Sequence, residues 1–331
     1  MKTFENTEPR LDFVTCANPA GAHRMAYWEW GDPHNPRVLV CVHGLTRCGR
    51  DFDALARHLS AHYRVVCPDV AGRGKSDWLT QPKRYTVTQY VGDMLTLIAR
   101  LGVATVDWVG TSMGGLIGLG LAGALAASAA ARPARAAHGL PVEQTIRLGK
   151  VVLNDIGPSL DATGLARIAG YVGQPVVCEN FAQAVDTVRQ TAASFGPHNQ
   201  AQWEDLTRHV FVQEGDVWVK HYDLRIAEPM QSQNADALRD GETRLWAAYE
   251  SLTQPVLVIR GQQSDLLTEQ TTQDMLRRNP HAQLYAVEGV GHAPSLVQAD
   301  QVQRVADFLL GDAHADAHAA DPAVRDAATA R

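Results

Sequence analysis

Ser112 lies within Gly110-Thr111-Ser112-Met113-Gly114-Gly115, which fits the pattern G-x-S-x-G. Glycines two places before and two places after a serine leave room for a sharp strand-to-helix turn, on which the hydroxyl stands free. The apolar run Val106-Asp107-Trp108-Val109 precedes it and the helix-like Leu116–Leu121 follows, which is the context such a turn requires. The N–H of Met113 then sits at a helix N-terminus, aimed at a developing oxyanion. A serine so placed becomes a nucleophile once a base takes its proton. His292, in Gly291-His292-Ala293-Pro294, is the candidate base, because imidazole is the side chain suited to proton exchange near neutrality and this one lies on a loop of small residues. The chain has 13 histidines, so position in the chain singles this one out. On a turn of this kind the serine comes first, then an acid, then the histidine.

Two aspartates compete for the acid. Asp265 follows the run Pro255-Val256-Leu257-Val258-Ile259-Arg260-Gly261 and is favoured on chain order. Asp155 ends the run Val151-Val152-Leu153-Asn154, at the strand end where sites in open α/β sheets collect. With Asp265 as the acid, Asp155 becomes a structural or pocket-lining carboxylate. A second oxyanion donor is expected from the loop His43-Gly44-Leu45, after the apolar run Arg37–Val42, and Leu45 N–H is the candidate. Arg47, two residues on, is read as a solvated loop arginine rather than a substrate contact.

These loops need strands to end at. Short continuous apolar runs at Arg37–Val42, Arg64–Pro68, Val106–Gly110, Val151–Asn154 and Val256–Arg260 suit parallel strands covered on both faces. Helical stretches such as Phe52–Leu59 and Val87–Leu101 lie between them, which predicts a doubly wound sheet. Leu11–Ala17 and Arg24–Trp30 read as a leading strand pair turning at Asn18-Pro19-Ala20-Gly21. The Ala-rich segment Gly118–Ala137 predicts a helix that gives way, across Pro133 and Gly139, to a low-complexity insertion. From about Gly157 to Arg244 several helical patterns run together, with a strand pair at Phe211–Gln213 and Val217–His221 turning at Glu214-Gly215-Asp216. The expected division is a first part of the core at 1–156, a helical cap at 157–244, the rest of the core at 245–310 and a disordered tail at 311–331. His314 and His318 fall in that solvated tail. Of the cap aromatics Phe181, Phe195, Trp203, Phe211, Trp218 and Tyr222, most are expected to form the cap's own core. His209 and His221 are read as surface or packing residues.

Composition narrows the partners. The 331 residues are 45% apolar and 20% charged with a net charge of −6, and there is no basic stripe, so nucleic acid is not expected. The opening MKTFENTEPR lacks an apolar run, and the Ala-rich run near 121–137, which comes closest to a span, is weakly hydrophobic and broken by Arg132, Pro133 and Arg135, so neither a secretory signal nor a membrane span is expected. Cys16, Cys41, Cys48, Cys67 and Cys178 form no CxxC pair and read as reduced core thiols, which points to the cytoplasm. No Cys/His spacing suggests a metal. A homo-oligomer is left open.

Cys67-Pro68-Asp69-Val70-Ala71-Gly72-Arg73-Gly74-Lys75-Ser76 looks like the strand-to-helix turn D-x-x-G-x-G-x-S. With the pieces above, it makes residues from about 24 to 310 resemble the α/β-hydrolase superfamily. The resemblance implies an eight-stranded, mostly parallel sheet, a mainly helical cap inserted after the sixth strand, and no cofactor. It puts Ser112, Asp265 and His292 at the triad positions and Leu45 and Met113 at the oxyanion hole. Haloalkane dehalogenases and epoxide hydrolases carry aspartate where this chain has Ser112. The meta-cleavage C–C hydrolases have H-G-x-G-P-G, an Asn before the nucleophile and a Trp after the histidine, whereas this chain has His43-Gly44-Leu45-Thr46-Arg47, Thr111 and Ala293. The expected activity is hydrolysis of a small to medium carboxylic ester through an acyl-enzyme. The alternatives on the same residues are C–C bond, thioester or amide hydrolysis and perhydrolysis. A non-catalytic ligand receptor is the alternative of another class, and the retention of every triad member argues against it.

Overall fold

The computed structural model describes residues 8–137, 146–231 and 235–311. Its first two strands, β1 (Arg10–Asn18) and β2 (Gly21–Trp30), form an antiparallel hairpin, and Gly21 takes the positive φ (136°) that the turn demands. Next come β3 (Val38–Val42), β4 (Arg64–Pro68), β5 (Thr105–Thr111) and β6 (Arg147–Asn154). Three short strands follow, β7 (Val177–Cys178), β8 (Phe211–Glu214) and β9 (Val217–Lys220), and then β10 (Val256–Gly261) and β11 (Ala282–Val287). Eight strands make one sheet in the order β1-β2-β4-β3-β5-β6-β10-β11, parallel from β4 onward. The short three form a separate antiparallel sheet, β7-β9-β8, of which β7 was not foreseen.

Strand periodicity explains why the sheet is covered twice. Val38, Val40 and Val42 of β3 pack into one apolar layer with Val151, Leu153, Val256 and Val258. Leu39 and Cys41 pack into the other with Val152, Leu257 and Ile259. Helices Val87–Leu101 and Met113–Ala137 cover the first face, and Asp53–Leu59 and Ala299–Leu310 cover the second. All five cysteines are free and buried.

Two expected boundaries move. The helix after β5 runs without a break from Met113 to Ala137, with Pro133 inside it. Its stretch Met113–Pro133 is apolar and long enough to cross a membrane, but Ile117, Leu119 and Leu121 are buried in the core of the sheet domain. Of the rest of the insertion expected over 122–149, residues 138–145 lie outside the described residues, as does the tail from 312 with His314 and His318, and from Arg147 the chain is already in β6. The expected cap boundary at 244 falls inside one helix, Ala235–Glu250, which packs on Met113–Ala137. The core therefore resumes before that boundary. Between β6 and this helix lie the cap helices Ala162–Tyr171, Phe181–Thr191 and Gln200–Arg208 around the small sheet. Their core holds Cys178, Val185, Val188, Leu206 and Phe211, with Phe181, Phe195, Trp203 and Trp218 against it.

The loops at the strand ends are fixed from beneath. His43, directly after β3, is fully buried. Its Nδ1 donates to Gly44 O at 2.7 Å, and its Nε2 accepts from Val70 N–H at 3.0 Å, so the imidazole ties the β3 loop to the β4 loop. That pattern needs the neutral ring, and burial pushes its pKa from 6.5 down to about 3.

Two outcomes follow. A Cβ on Gly114 would lie 1.9 Å from Val42 O, so Gly114→Ala is expected to cost about 1–3 kcal/mol in urea unfolding. An unchanged midpoint would mean that the turn has slack. For His43, the unfolded chain binds a proton below about pH 6.5 that the folded chain refuses down to about 3. Stability contributed by the neutral ring is therefore present above pH 6.5 and is lost as pH falls through that window. His43→Gln should flatten the stability curve between pH 6.5 and 4, and parallel curves would assign the acid limb to other groups.

Candidate active site

Ser112 follows β5 directly, with φ at 52°, in the left-handed region that disfavours a side chain by roughly 1–2 kcal/mol. Three close approaches hold it there. A Cβ on Gly110 would lie 2.4 Å from Gly114 O, and one on Gly115 would lie 2.2 Å from Ile156 Cγ2. Gly114 itself is pressed against the end of β3. Ser112 N–H donates to Asn154 O at 3.0 Å, which ties the turn to β6 as well. With the backbone pinned, the side chain stands above the sheet and its Oγ lies 2.9 Å from His292 Nε2.

The acid beside the imidazole is Asp155. Its Oδ2 lies 2.8 Å from His292 Nδ1, so Nδ1–H donates to the carboxylate and Nε2 is left to accept from Ser112. Asp155 is fully buried and also accepts from Gly261 N–H at 2.8 Å and Ser264 Oγ–H at 2.6 Å. The expectation that Asp265 would fill this place is corrected. Asp265 lies beyond the turn that follows β10, and its carboxylate takes both arms of Arg167, at 2.5 and 2.8 Å. That guanidinium holds the Asp265 carboxyl below its ordinary range.

Further residues that sequence reasoning missed fasten the histidine loop. Asn154 Nδ2 donates to Pro294 O at 2.8 Å and to Thr111 Oγ1 at 3.0 Å, bridging that loop to the serine turn. From the cap, Ser194 Oγ–H donates to His292 O at 2.5 Å and Ser194 O accepts from Gly291 N–H at 2.7 Å. The signal for Asn154 was its place next to Asp155 at a strand end. Ser194 had none, because its contact crosses from cap to core.

Leu45 and Met113 flank the serine. Gly44 comes so close that a Cβ there would lie 3.8 Å from Ser112 Cβ. The Gly44 carbonyl accepts from both the His43 ring and Arg47 N–H, at 2.7 and 3.1 Å. A planar trans peptide then fixes Leu45 N–H in the opposite direction. Among the described residues, neither Leu45 N–H nor Met113 N–H donates a hydrogen bond. Beneath both lies Arg73, wholly buried. It donates to Leu45 O (2.9 Å), Ala71 O (2.7 Å) and Tyr90 Oη (2.8 Å), and reaches Met113 Sδ at 3.6 Å.

Above the serine, cap and core enclose a cavity of about 720 Å³. Leu160, Val172, Phe195, Phe211, Ile226 and Met230 contribute its apolar wall. Arg47 lines it too and is not solvated as expected. It is 12% exposed, grips Asp51 through two 2.7 Å bonds, and donates to Leu206 O at 2.8 Å. Phe195, Phe211 and Tyr222 reach the cavity as well as packing inside the protein, whereas His209 and His221 face a separate small cleft. A buried trio that the spacing did not reveal, Cys16, His23 and Asp93, gathers between the first hairpin and helix Val87–Leu101. Its polar atoms engage one another and their neighbours: His23 Nε2 meets Asp93 at 3.1 Å, His23 Nδ1 meets Asn18 at 3.1 Å, and Gln89 donates to Asp93 at 2.8 Å.

Comparison with known proteins agrees with this architecture. The alpha/beta hydrolase family matches residues 39–308. The chain is 48% identical over 310 residues to a 3-hydroxybutyrate-oligomer hydrolase of Cupriavidus necator, covering 92% of this chain and 99% of that one. An alpha/beta hydrolase from Novosphingobium aromaticivorans superposes with a TM-score of 0.75 at 32% identity, over 92% of this chain and 98% of that chain. A putative hydrolase from Rickettsia typhi superposes at 0.78 with 28% identity, over 92% and 99%. With its sheet order, its cap and the serine turn at the end of β5, the chain belongs to the α/β-hydrolase family.

Proposed function

We propose that the protein is a serine esterase that cleaves short oligomers of a 3-hydroxy acid through an acyl-enzyme. The observation that carries the chemistry is the continuous relay from Ser112 Oγ through His292 to Asp155, at the floor of a mostly apolar cavity. The substrate class comes from the Cupriavidus necator relative. A cavity of about 720 Å³ is within the usual range for small-molecule sites and suits a short flexible ester.

In this reading His292 Nε2 takes the proton as Ser112 Oγ attacks the ester carbonyl carbon. Leu45 and Met113 N–H groups receive the oxyanion, and no proton is needed there. Asp155 fixes the imidazole with Nδ1–H toward itself and stabilises the imidazolium. His292 then delivers its proton to the leaving alkoxide, so the C–O bond breaks and an alcohol departs. Water attacks the acyl-Ser112 ester, with His292 as base again. The acid is released and the serine regains its proton.

The test is turnover of a 3-hydroxybutyrate trimer and of p-nitrophenyl butyrate by three variants. Ser112→Ala is expected to lose about 10⁶-fold in kcat, and Asp155→Asn on the order of 10⁴-fold, because an amide favours the wrong tautomer. Asp265→Asn should keep most of its turnover, since that carboxylate serves Arg167. A larger loss in Asp265→Asn than in Asp155→Asn would reverse the assignment. Full activity in Ser112→Ala would end the serine mechanism.

A further inference from the structure

The charged groups lining the cavity do not balance. Arg47 is matched by Asp51 at 2.7 Å. Arg167 is matched by Asp265, which takes both of its arms. The remaining cation is Lys220, at the end of β9 in the cap. Its Nζ donates to Gln174 O at 2.9 Å and to Tyr171 O at 3.5 Å, and it lies 5.6 Å from the centre of the Tyr222 ring. Among the described residues no carboxylate comes within ion-pair distance of it. An ammonium has three N–H donors, and two point at carbonyls here, so one is left for a ligand. Burial of the side chain pulls its pKa down, with no anion to pull it back.

We propose that Lys220 forms a subsite for the free carboxylate of the substrate, so that the preferred esters carry a carboxylate on the alcohol side of the scissile bond. This rests on the oligomer-esterase reading above and deepens it. A 3-hydroxy acid oligomer has one free carboxylate, at the end from which the leaving alcohol is counted. Seating that end on Lys220 while a carbonyl sits on Ser112 fixes the direction in which the chain lies. The fragment released first keeps the original carboxylate, and the acyl fragment stays on the serine until water frees it. Distance along the cavity then sets the length of the released piece. Arg47 and Arg167 do not compete for the same group, because each already spends both arms of its fork on a carboxylate.

The experiment compares the 3-hydroxybutyrate trimer as its free acid and as its methyl ester, in the wild type, Lys220→Met and Lys220→Arg. p-Nitrophenyl butyrate serves as the uncharged reference. The wild type is expected to favour the free acid, chiefly through a lower KM. In Lys220→Met the ratio of kcat/KM for free acid over methyl ester should fall about tenfold or more, the effect of losing one charge-assisted contact. Lys220→Arg should recover most of that ratio. Equal use of free acid and methyl ester by the wild type overturns the subsite and leaves the esterase reading intact. A parallel fall for both trimers in Lys220→Met, with the ratio unchanged, overturns it as well. If the wild type cleaves p-nitrophenyl butyrate and neither trimer, the oligomer reading fails and the subsite fails with it.

Discussion

Ser112 holds its side chain at a φ of 52°, and Asp155, the acid of the same relay, sits at 55°. Left to local preference, Ser112 would relax into the ordinary right-handed region, and its hydroxyl would swing off the imidazole. What prevents this is absence of bulk. Gly110, Gly114 and Gly115 bring the turn into direct contact with its own carbonyls, with the end of β3 and with Ile156. Each contact is shorter than a Cβ would permit, so the surrounding backbone leaves the serine no other conformation. The remainder of the site is arranged around that point. Asn154 braces the histidine loop against it, and the Gly44 loop closes over it from β3.

Much of this was legible because it is local. The serine turn, the His43-Gly44 loop after β3 and the alternation of strands and helices are written in consecutive residues with fixed periods. The choice between the two aspartates was not. β6 and β10 are hydrogen-bonded neighbours, so their ends emerge side by side, and Asp155 N–H even donates to Ile259 O of β10 at 2.8 Å. Both acids satisfy the chain order. What separates them is a turn at Gly261–Ser264 that carries Asp265 past the histidine, and the cap residue Arg167 that receives it. Arg167 stands 98 positions before Asp265, outside the aspartate's own neighbourhood in sequence.

The helix after Ser112 shows a different limit. Pro133 was read as a stop, since proline removes a donor and clashes with the preceding turn. The Ala-rich surroundings have such strong helix preference that the helix runs on to Ala137. The cap boundary failed for a related reason. Helix Ala235–Glu250 has a helical pattern like those before it, and only its packing on Met113–Ala137 assigns it to the core.

The turn that holds Arg73 is also one of the places where the cap is fastened to the core. Gly74 N–H donates to His221 O at 3.2 Å, Asp223 N–H donates to Gly72 O at 2.8 Å, and Arg73 pairs with Tyr222 as an isolated bridge. The cap is therefore stitched by its backbone to the same segment whose guanidinium supports Leu45 and Met113. At this edge the cap acts as an anchored flap. It cannot lift there without moving the guanidinium that holds the Leu45 carbonyl and the Met113 side chain. With Gly291 N–H donating to Ser194 O at 2.7 Å on the histidine loop, the cap is pinned by its backbone at more than one point, each on a segment that also positions part of the site.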